Sequence, residues 1–320
     1  RRTSLTGSSI PVKGVIISTE RLRNRFIIDE ESLTLKCEPG YLISEIKTEL
    51  SKAGLFYAPD PTEDNSTIGG NIATNASGAK SFKYGATRKH VLELEIVLTD
   101  GEIYRLKRGE NIVEQNLLKL KSINNKEKII RLPEIKTPLT KNAAGYYLAP
   151  NMDAIDLFIG AEGTLGTITE ATLRLFKKKE NLLSFVIYFE SKEICLNFID
   201  EIRRRSIETR KGESFGLEAR AIEYFDKNSL ILITEDFPHI PEDTQCAVWA
   251  EQELQAENEE EGLLLWSQIF EQYCIDENKI WVATDETERE KMHKMRHSVP
   301  LKVNEYISKN NYRKIGTDSA

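Results

Sequence analysis

The residues with the most capacity for chemistry lie in two stretches. The first runs Pro59-Asp60-Pro61-Thr62-Glu63-Asp64-Asn65-Ser66-Thr67-Ile68-Gly69-Gly70-Asn71-Ile72-Ala73-Thr74-Asn75-Ala76-Ser77-Gly78 and combines rigid prolines, a glycine pair and neutral donors. Such a segment can bring main-chain N–H groups against an anion or a flat ring without steric cost. The same composition also makes an ordinary surface loop rich in turn formers. It matches neither the dinucleotide fingerprint G-x-G-x-x-G nor the phosphate loop G-x-x-x-x-G-K-[ST], so any phosphate it holds is held in another way. The second stretch, Glu290 to Lys302, carries Arg296, whose planar fork can grip a carboxylate through two parallel bonds. A surface arginine on a solvated helix is the plainer alternative. His293 and His297 stand four apart on one helix face, a metal-capable spacing. The glutamate of H-E-x-x-H is missing and no third ligand is evident, so no metal is expected.

Glycine usage asks for the same first half. Of 18 glycines, 14 fall within residues 1–170, which marks backbone that must turn sharply or approach something closely. The 320 residues carry 44 Lys+Arg against 51 Asp+Glu, a balance that argues against nucleic acid as a partner. Cys37, Cys195, Cys246 and Cys274 stand alone, which excludes a zinc ribbon or a disulfide framework and leaves no iron–sulfur cluster. No apolar run approaches the roughly 20 residues of a membrane span. The expectation is a cytoplasmic protein, with peripheral attachment to a membrane left open.

Short β-like runs must position these residues. Val15–Ser18, Phe26–Ile28 and Ser32–Cys37 are strand candidates, followed by a helix with Leu42, Ile43, Ile46 and Leu50 in register and Gly54 at its end. Val91–Leu98 and Glu102–Leu106 flank the hairpin signal Asp100-Gly101. Gly160 to Gly166 makes a second glycine-rich turn before a strand over Thr167–Phe176. The charge run Lys177-Lys178-Lys179-Glu180-Asn181 reads as a linker. Beyond it, strands over Leu182–Phe189, Ser229–Thr234, Ala247–Trp249 and Lys279–Ala283 alternate with helical faces, and Asp285–Ile307 is largely helical despite Pro300. This second half is α+β.

The strings PDPTEDNSTIGGNIATNASGAKSFKYGATRKHVLELEIVLTDGE and LFIGAEGTLGTITEATLRL resemble the flavin-binding signature of the vanillyl-alcohol oxidase superfamily, the PCMH-type FAD domain. The likeness is closest to its D-lactate dehydrogenase, glycolate oxidase D-subunit and D-2-hydroxyglutarate dehydrogenase branch. SLTGSSIPVKG resembles the end of that family's first pyrophosphate loop, and KNAAGYYL a segment between the two longer strings. The match is collinear over nearly all of residues 1–176.

The resemblance implies an FAD-binding domain over residues 1–178 and an α+β substrate (cap) domain with an antiparallel sheet over 179–320. Thr3, Ser4, Leu5, Thr6 and Gly7 match the loop whose amides meet the FAD pyrophosphate. Thr67, Gly69, Gly70, Asn71, Thr74, Ser77 and Gly78 match a second loop running toward the flavin ring. Glu162, Gly163, Gly166 and Ile168 match a third, near the adenosine half. Arg296 and Lys314 match residues that hold the substrate carboxylate, although Pro300 replaces the hydroxylated residue common four places after that arginine. The first two loops lack the histidine or cysteine that tethers flavin in covalent members, so the FAD is expected to be non-covalent. The implied activity is FAD-dependent oxidation of a 2-hydroxyacid such as D-lactate or glycolate, with hydride passing to flavin N5. The electron acceptor would be a quinone, cytochrome, flavoprotein or iron–sulfur module, separate or fused. A non-catalytic electron-transfer module and a non-redox flavoenzyme like alkyl-glycerone-phosphate synthase are the alternatives. Relative to that family the chain is expected to be truncated at both ends, opening inside the first loop and closing before a G-D-G-N-x-H segment that carries the base.

Overall fold

The computed structural model describes residues 14–135, 145–179, 181–212 and 215–312. Two compact units result. The first holds the chain up to Gly78 and from Tyr84 to Lys178. The second holds Ala79–Lys83 and the chain from Lys179 through the last described helix.

In the first unit, β1 (Phe26–Asp29) and β2 (Thr34–Cys37) form a hairpin, α1 (Ile43–Lys52) follows, and β3 (Leu55–Phe56) leads into the 59–78 segment. That segment contains a short helix, α2 (Ile68–Ala73), and α3 (Ser81–Tyr84), whose first three residues belong to the second unit, follows it. Next come β4 (Val91–Val97), β5 (Ile103–Lys107), the hairpin of β6 (Leu117–Lys121) and β7 (Glu127–Arg131), α4 (Ala154–Phe158), β8 (Thr167–Arg174) and β9 (Phe176–Lys177). The main sheet is antiparallel with strand order β1-β2-β8-β4-β5. Alternation sets its inner face: Leu35, Leu94, Ile96, Tyr104, Leu106 and Leu173 bury against Ile43, Ile46 and Leu50 of α1, Ile72 of α2 and Ile155 of α4. The buried residues of α1 recur at i, i+3 and i+7, and Gly54 at φ +66° lets the chain turn just past its end. This core carries the candidate cofactor segments on its helices and turns.

The second unit threads β10 (Asn181–Phe189), α5 (Lys192–Lys211), β11 (Ala219–Asp226), α6 (Lys227–Ile233), β12 (Cys246–Leu254), α7 (Glu259–Gln272), β13 (Ile280–Val282) and α8 (Glu286–Lys309). Its antiparallel sheet has the order β11-β12-β10-β13. Set α6 and α8 aside, and this is the order and direction of a βαββαβ unit. Strand periodicity divides the apolar residues between two layers. Phe185, Ile187, Val248 and Ala250 pack on Phe198 and Ile202 of α5 and Trp266 of α7, while Val186, Tyr188, Ala247 and Trp249 pack on Leu230 and Ile233 of α6 and Met292 and Met295 of α8.

Two expectations fail. Residues 229–234 belong to α6 rather than a strand: Asp226 caps the helix by accepting from Ser229 N at 2.9 Å, and Leu230 and Ile233 are buried at a spacing of three while Ile231 is 61% exposed. Val15–Ser18 forms no strand, and Val15, Ile16 and Ile17 are exposed. A β-branched run becomes a strand only with a partner, and it finds none among the described residues.

Candidate functional site

The 59–78 segment satisfies its own backbone. Ile68 N donates to Tyr41 O (2.9 Å), Gly69 N to Pro39 O (3.0 Å) and Asn71 N to Thr67 O (3.0 Å), while the Thr67 hydroxyl caps α2 by accepting from Gly70 N (3.2 Å). Thr74 N, Asn75 N and Ala76 N donate to Gly70 O, Ile72 O and Asn71 O. The amides of residues 68–71 and 74–76 are therefore taken by the protein. The glycines divide by function as well. A Cβ on Gly78 would overlap the Asp60 carbonyl, and one on Gly69 would lie 2.5 Å from Pro39 Cβ, so both allow the chain to pack against itself. Gly70 differs: a Cβ there meets only Thr67 Oγ1, at 3.2 Å. Gly70 and Thr74 are exposed at i, i+4 and share one side of α2 with Thr67. On the inner side Asn71 is 4% exposed, its Oδ1 accepts from Ser66 Oγ (3.2 Å), and its buried Nδ2 has no hydrogen-bond partner.

The turn at 160–166 lies directly against this segment. Gly160 N donates to Ile72 O (3.0 Å) and Glu162 N to Ala73 O (2.8 Å), so the second and third sequence-predicted segments form one structure. Glu162 and Gly163 turn at φ +51° and +75° and are exposed, and Gly163 has open space around it. Gly166 sits under Ile96 and Val97 O, and Ile168 stands opposite Ile96 in the sheet, so these two support the turn from the core side. Sequence reasoning passed over Arg88, which lies beside both segments: its N–H donates to Asn75 Oδ1 (2.9 Å) and its guanidinium to Asp156 O and to Ile159 O (2.7 Å). Its position inside the quoted string YGATRKH was the available signal. Thr3, Ser4, Leu5, Thr6, Gly7 and Lys314 lie outside the described residues.

In the second unit Arg296 projects from α8 toward β11. Its side chain is 12% exposed, Nη2 lies 3.3 Å from Glu223 Oε1, and buried Nε has no hydrogen-bond partner. One turn earlier, His293 Nε2 lies 3.4 Å from Glu251 Oε1, and its ring meets Trp249 edge-on at 4.8 Å. Glu251 is fully buried. Burial alone would raise its pKa, but Arg220 (2.8 Å) and His293 outweigh that and hold it at about 2. His293 thus faces a carboxylate rather than a second histidine, and among the described residues no group of three metal-ligating side chains occurs. No described helix is long and apolar enough to cross a membrane.

Residues 1–107 match the family model described as an FAD binding domain. The chain is similar to a D-lactate dehydrogenase of Anaerostipes hadrus, 30% identical over 237 residues that cover 74% of this chain and 40% of the relative. Glycolate oxidase subunit GlcD of Bacillus subtilis is 29% identical, covering 90% and 52%, and a D-2-hydroxyglutarate dehydrogenase of Stutzerimonas stutzeri is 29% identical, covering 88% and 50%. The chain thus spans about half the length of the curated relatives it matches. Among solved structures, an alkyldihydroxyacetonephosphate synthase shares the fold with a TM-score of 0.61 at 18% identity, covering 92% of this chain and 51% of that one. The local chemistry fits FAD. The orphaned Asn71 amide offers a neutral donor, and the open sides of Gly70 and Gly163 admit a flat or extended group that a Cβ would obstruct.

Proposed function

We propose that the protein is an FAD-dependent oxidoreductase that oxidises a small 2-hydroxyacid of the D-lactate or glycolate type. The observation carrying this reading is the direct bonding of the two glycine segments, Ile72 to Gly160 and Ala73 to Glu162, in a chain whose first 107 residues match an FAD binding domain. The names of the relatives supply the substrate class.

Bound non-covalently, FAD supplies a two-electron acceptor at its flavin ring. Thr67, Gly70, Asn71, Thr74, Ser77, Glu162 and Gly163 would hold it together with Thr3–Gly7, while Gly69, Gly78, Gly166 and Ile168 shape the segments from behind. Residues 1–178 thus serve the cofactor and 179–320 the substrate. Arg296 orients the substrate carboxylate. Its single long contact to Glu223 and its unpartnered Nε leave the fork incomplete, so a substrate carboxylate that displaces Glu223 gains two charge-assisted bonds. Lys314 adds a second positive charge. The electron acceptor would be a quinone, cytochrome, flavoprotein or iron–sulfur module, and the protein would work in the cytoplasm or at a membrane surface.

Anaerobic addition of D-lactate, glycolate or D-2-hydroxyglutarate to the FAD-loaded full-length protein should bleach the flavin absorbance. A preparation that is colourless and cannot be reconstituted with FAD refutes the cofactor reading, and one that binds FAD but is bleached by none of the three refutes the substrate reading.

A further inference from the structure

We propose that Arg88 is the positioning residue that sets the spacing between the two glycine segments and thereby governs FAD affinity. The inference rests on the FAD reading above and goes beyond it by assigning a role to a residue outside both segments.

The geometry makes Arg88 a two-ended tie. Its main chain belongs to the 67–78 segment: Arg88 N donates to Asn75 Oδ1 at 2.9 Å, and the preceding Thr87 donates to Ala76 O from both N (3.1 Å) and Oγ1 (2.7 Å). Its side chain belongs to the other segment. The guanidinium donates to Asp156 O and to Ile159 O (2.7 Å), carbonyls at the end of α4 immediately before Gly160. A cation there meets the negative end of the helix as well as its unpaired acceptors. The two ends converge on one point, because a Cβ added to Gly160 would lie 3.3 Å from both Arg88 Nη2 and Asn75 Cβ.

An arginine suits this position for reasons a lysine cannot meet. The plane of the group lies over the Tyr147 ring at 4.4 Å, and its fork reaches two carbonyls at once. Asp156 holds the charge at 3.7 Å and is itself fixed by Arg108 through bonds of 3.0 and 3.2 Å. The Arg88 side chain is only 14% exposed, so these contacts are shielded from water. The backbone bonds from Gly160 to Ile72 and from Glu162 to Ala73 lie just beyond the tie. Loosening Arg88 therefore separates the surfaces that FAD must touch together, and a shift near 1 Å is enough to lose a preorganised contact.

The test uses the full chain stripped of FAD, with Kd read from quenching of flavin fluorescence and folding from circular dichroism and Tm of the apoprotein. Arg88→Lys should raise the Kd for FAD at least about tenfold under conditions where the apoprotein is fully folded. In Arg88→Ala, tens of millimolar guanidinium should restore affinity, whereas ammonium at the same ionic strength should not. Should Arg88→Ala fail to fold, Asn75→Gly, which removes the acceptor of Arg88 N and tolerates the φ of +48° there, should weaken FAD in the same direction. A Kd equal to wild type in Arg88→Lys overturns the inference, as does a loss of affinity that only tracks a lost fraction of folded protein. If the wild-type chain binds no FAD, the parent reading falls and this one with it; if wild type binds and Arg88→Lys binds equally, this one falls alone.

Discussion

Gly69 and Gly70 are adjacent, and alanine at each should have opposite consequences. At Gly69 the new Cβ would lie 2.5 Å from Pro39 Cβ and 3.1 Å from Pro39 O, about 1 Å or more inside a comfortable carbon–carbon contact. Neither the proline ring nor its backbone can rotate away, and Gly69 N is bonded to the same Pro39 O, so α2 must shift. Overpacking of this kind costs about 1–3 kcal/mol, which in a unit of this size lowers Tm by roughly 2–4 °C per kcal/mol. At Gly70 the nearest atom to a new Cβ is Thr67 Oγ1 at 3.2 Å, the hydroxyl that caps α2, which need yield only a few tenths of an ångström. An alanine there removes a helix-disfavouring glycine worth about 0.5–1 kcal/mol, so apoprotein stability should hold or rise. FAD affinity should nevertheless fall about tenfold or more, because the methyl group covers the open side of α2. The assay is paired: Tm of the FAD-free protein by circular dichroism, and Kd by flavin fluorescence. FAD at a hundred times its Kd adds about 2.7 kcal/mol of stability, so the Tm gain on FAD addition should shrink in Gly70→Ala. Wild-type affinity in Gly70→Ala would remove that side of α2 from the cofactor site, and an unchanged Tm in Gly69→Ala would refute the packing argument.

Two further predictions concern charge. Arg296→Ala should reduce kcat/KM for a 2-hydroxyacid by about 3 kcal/mol, a hundredfold or more, while Glu223→Gln should lower KM by removing the competing carboxylate; unchanged kinetics in Arg296→Ala removes that residue from the site. Acidification should destabilise the fold in two steps. His90 is 2% exposed, and burial, aided by Arg174 and Lys89, lowers its pKa from 6.5 to about 4. The unfolded chain accepts a proton that the folded chain refuses, so stability is complete above pH 6.5 and falls by on the order of 3 kcal/mol as pH drops toward 4. Glu251, held at about 2, then gives up its contribution between pH 4.5 and 2. Urea unfolding of His90→Phe at pH 7 and pH 4.5 checks the first step, and a pH dependence equal to wild type would count against it.

What the sequence made legible follows the range of the forces involved. Strands β4 and β8 and helix α1 are marked by side chains that alternate or recur within ten residues, and they form where that pattern places them. Residues 229–234 mislead because Leu-Ile-Leu-Ile is apolar at every position; the distinction came from Asp226, a cap outside the apolar run. The glycine segments were visible by composition, yet composition does not say what a glycine faces. Gly69 faces Pro39, thirty residues away, and Gly70, its neighbour, faces only the Thr67 hydroxyl. The helix over Ile68–Ala73 was hidden for a related reason: a six-residue helix containing two glycines has poor intrinsic propensity and forms because Tyr41, Pro39 and Thr67 accept its first amides.

Arg88 lies furthest from sequence reading, since none of its side-chain acceptors is within sixty residues of it. Nothing about an arginine in YGATRKH distinguishes a buried tie from a solvated charge until the α4 carbonyls are brought beside it. The same holds for Arg296, whose fork was legible as chemistry while its present partner, Glu223, lies 73 residues away in strand β11. In both cases residue type announces a capability and long-range packing selects its use. On the proposed function, a variant series at these two arginines probes different steps: Arg88 the spacing of the two glycine segments, Arg296 the exchange of Glu223 for a substrate carboxylate.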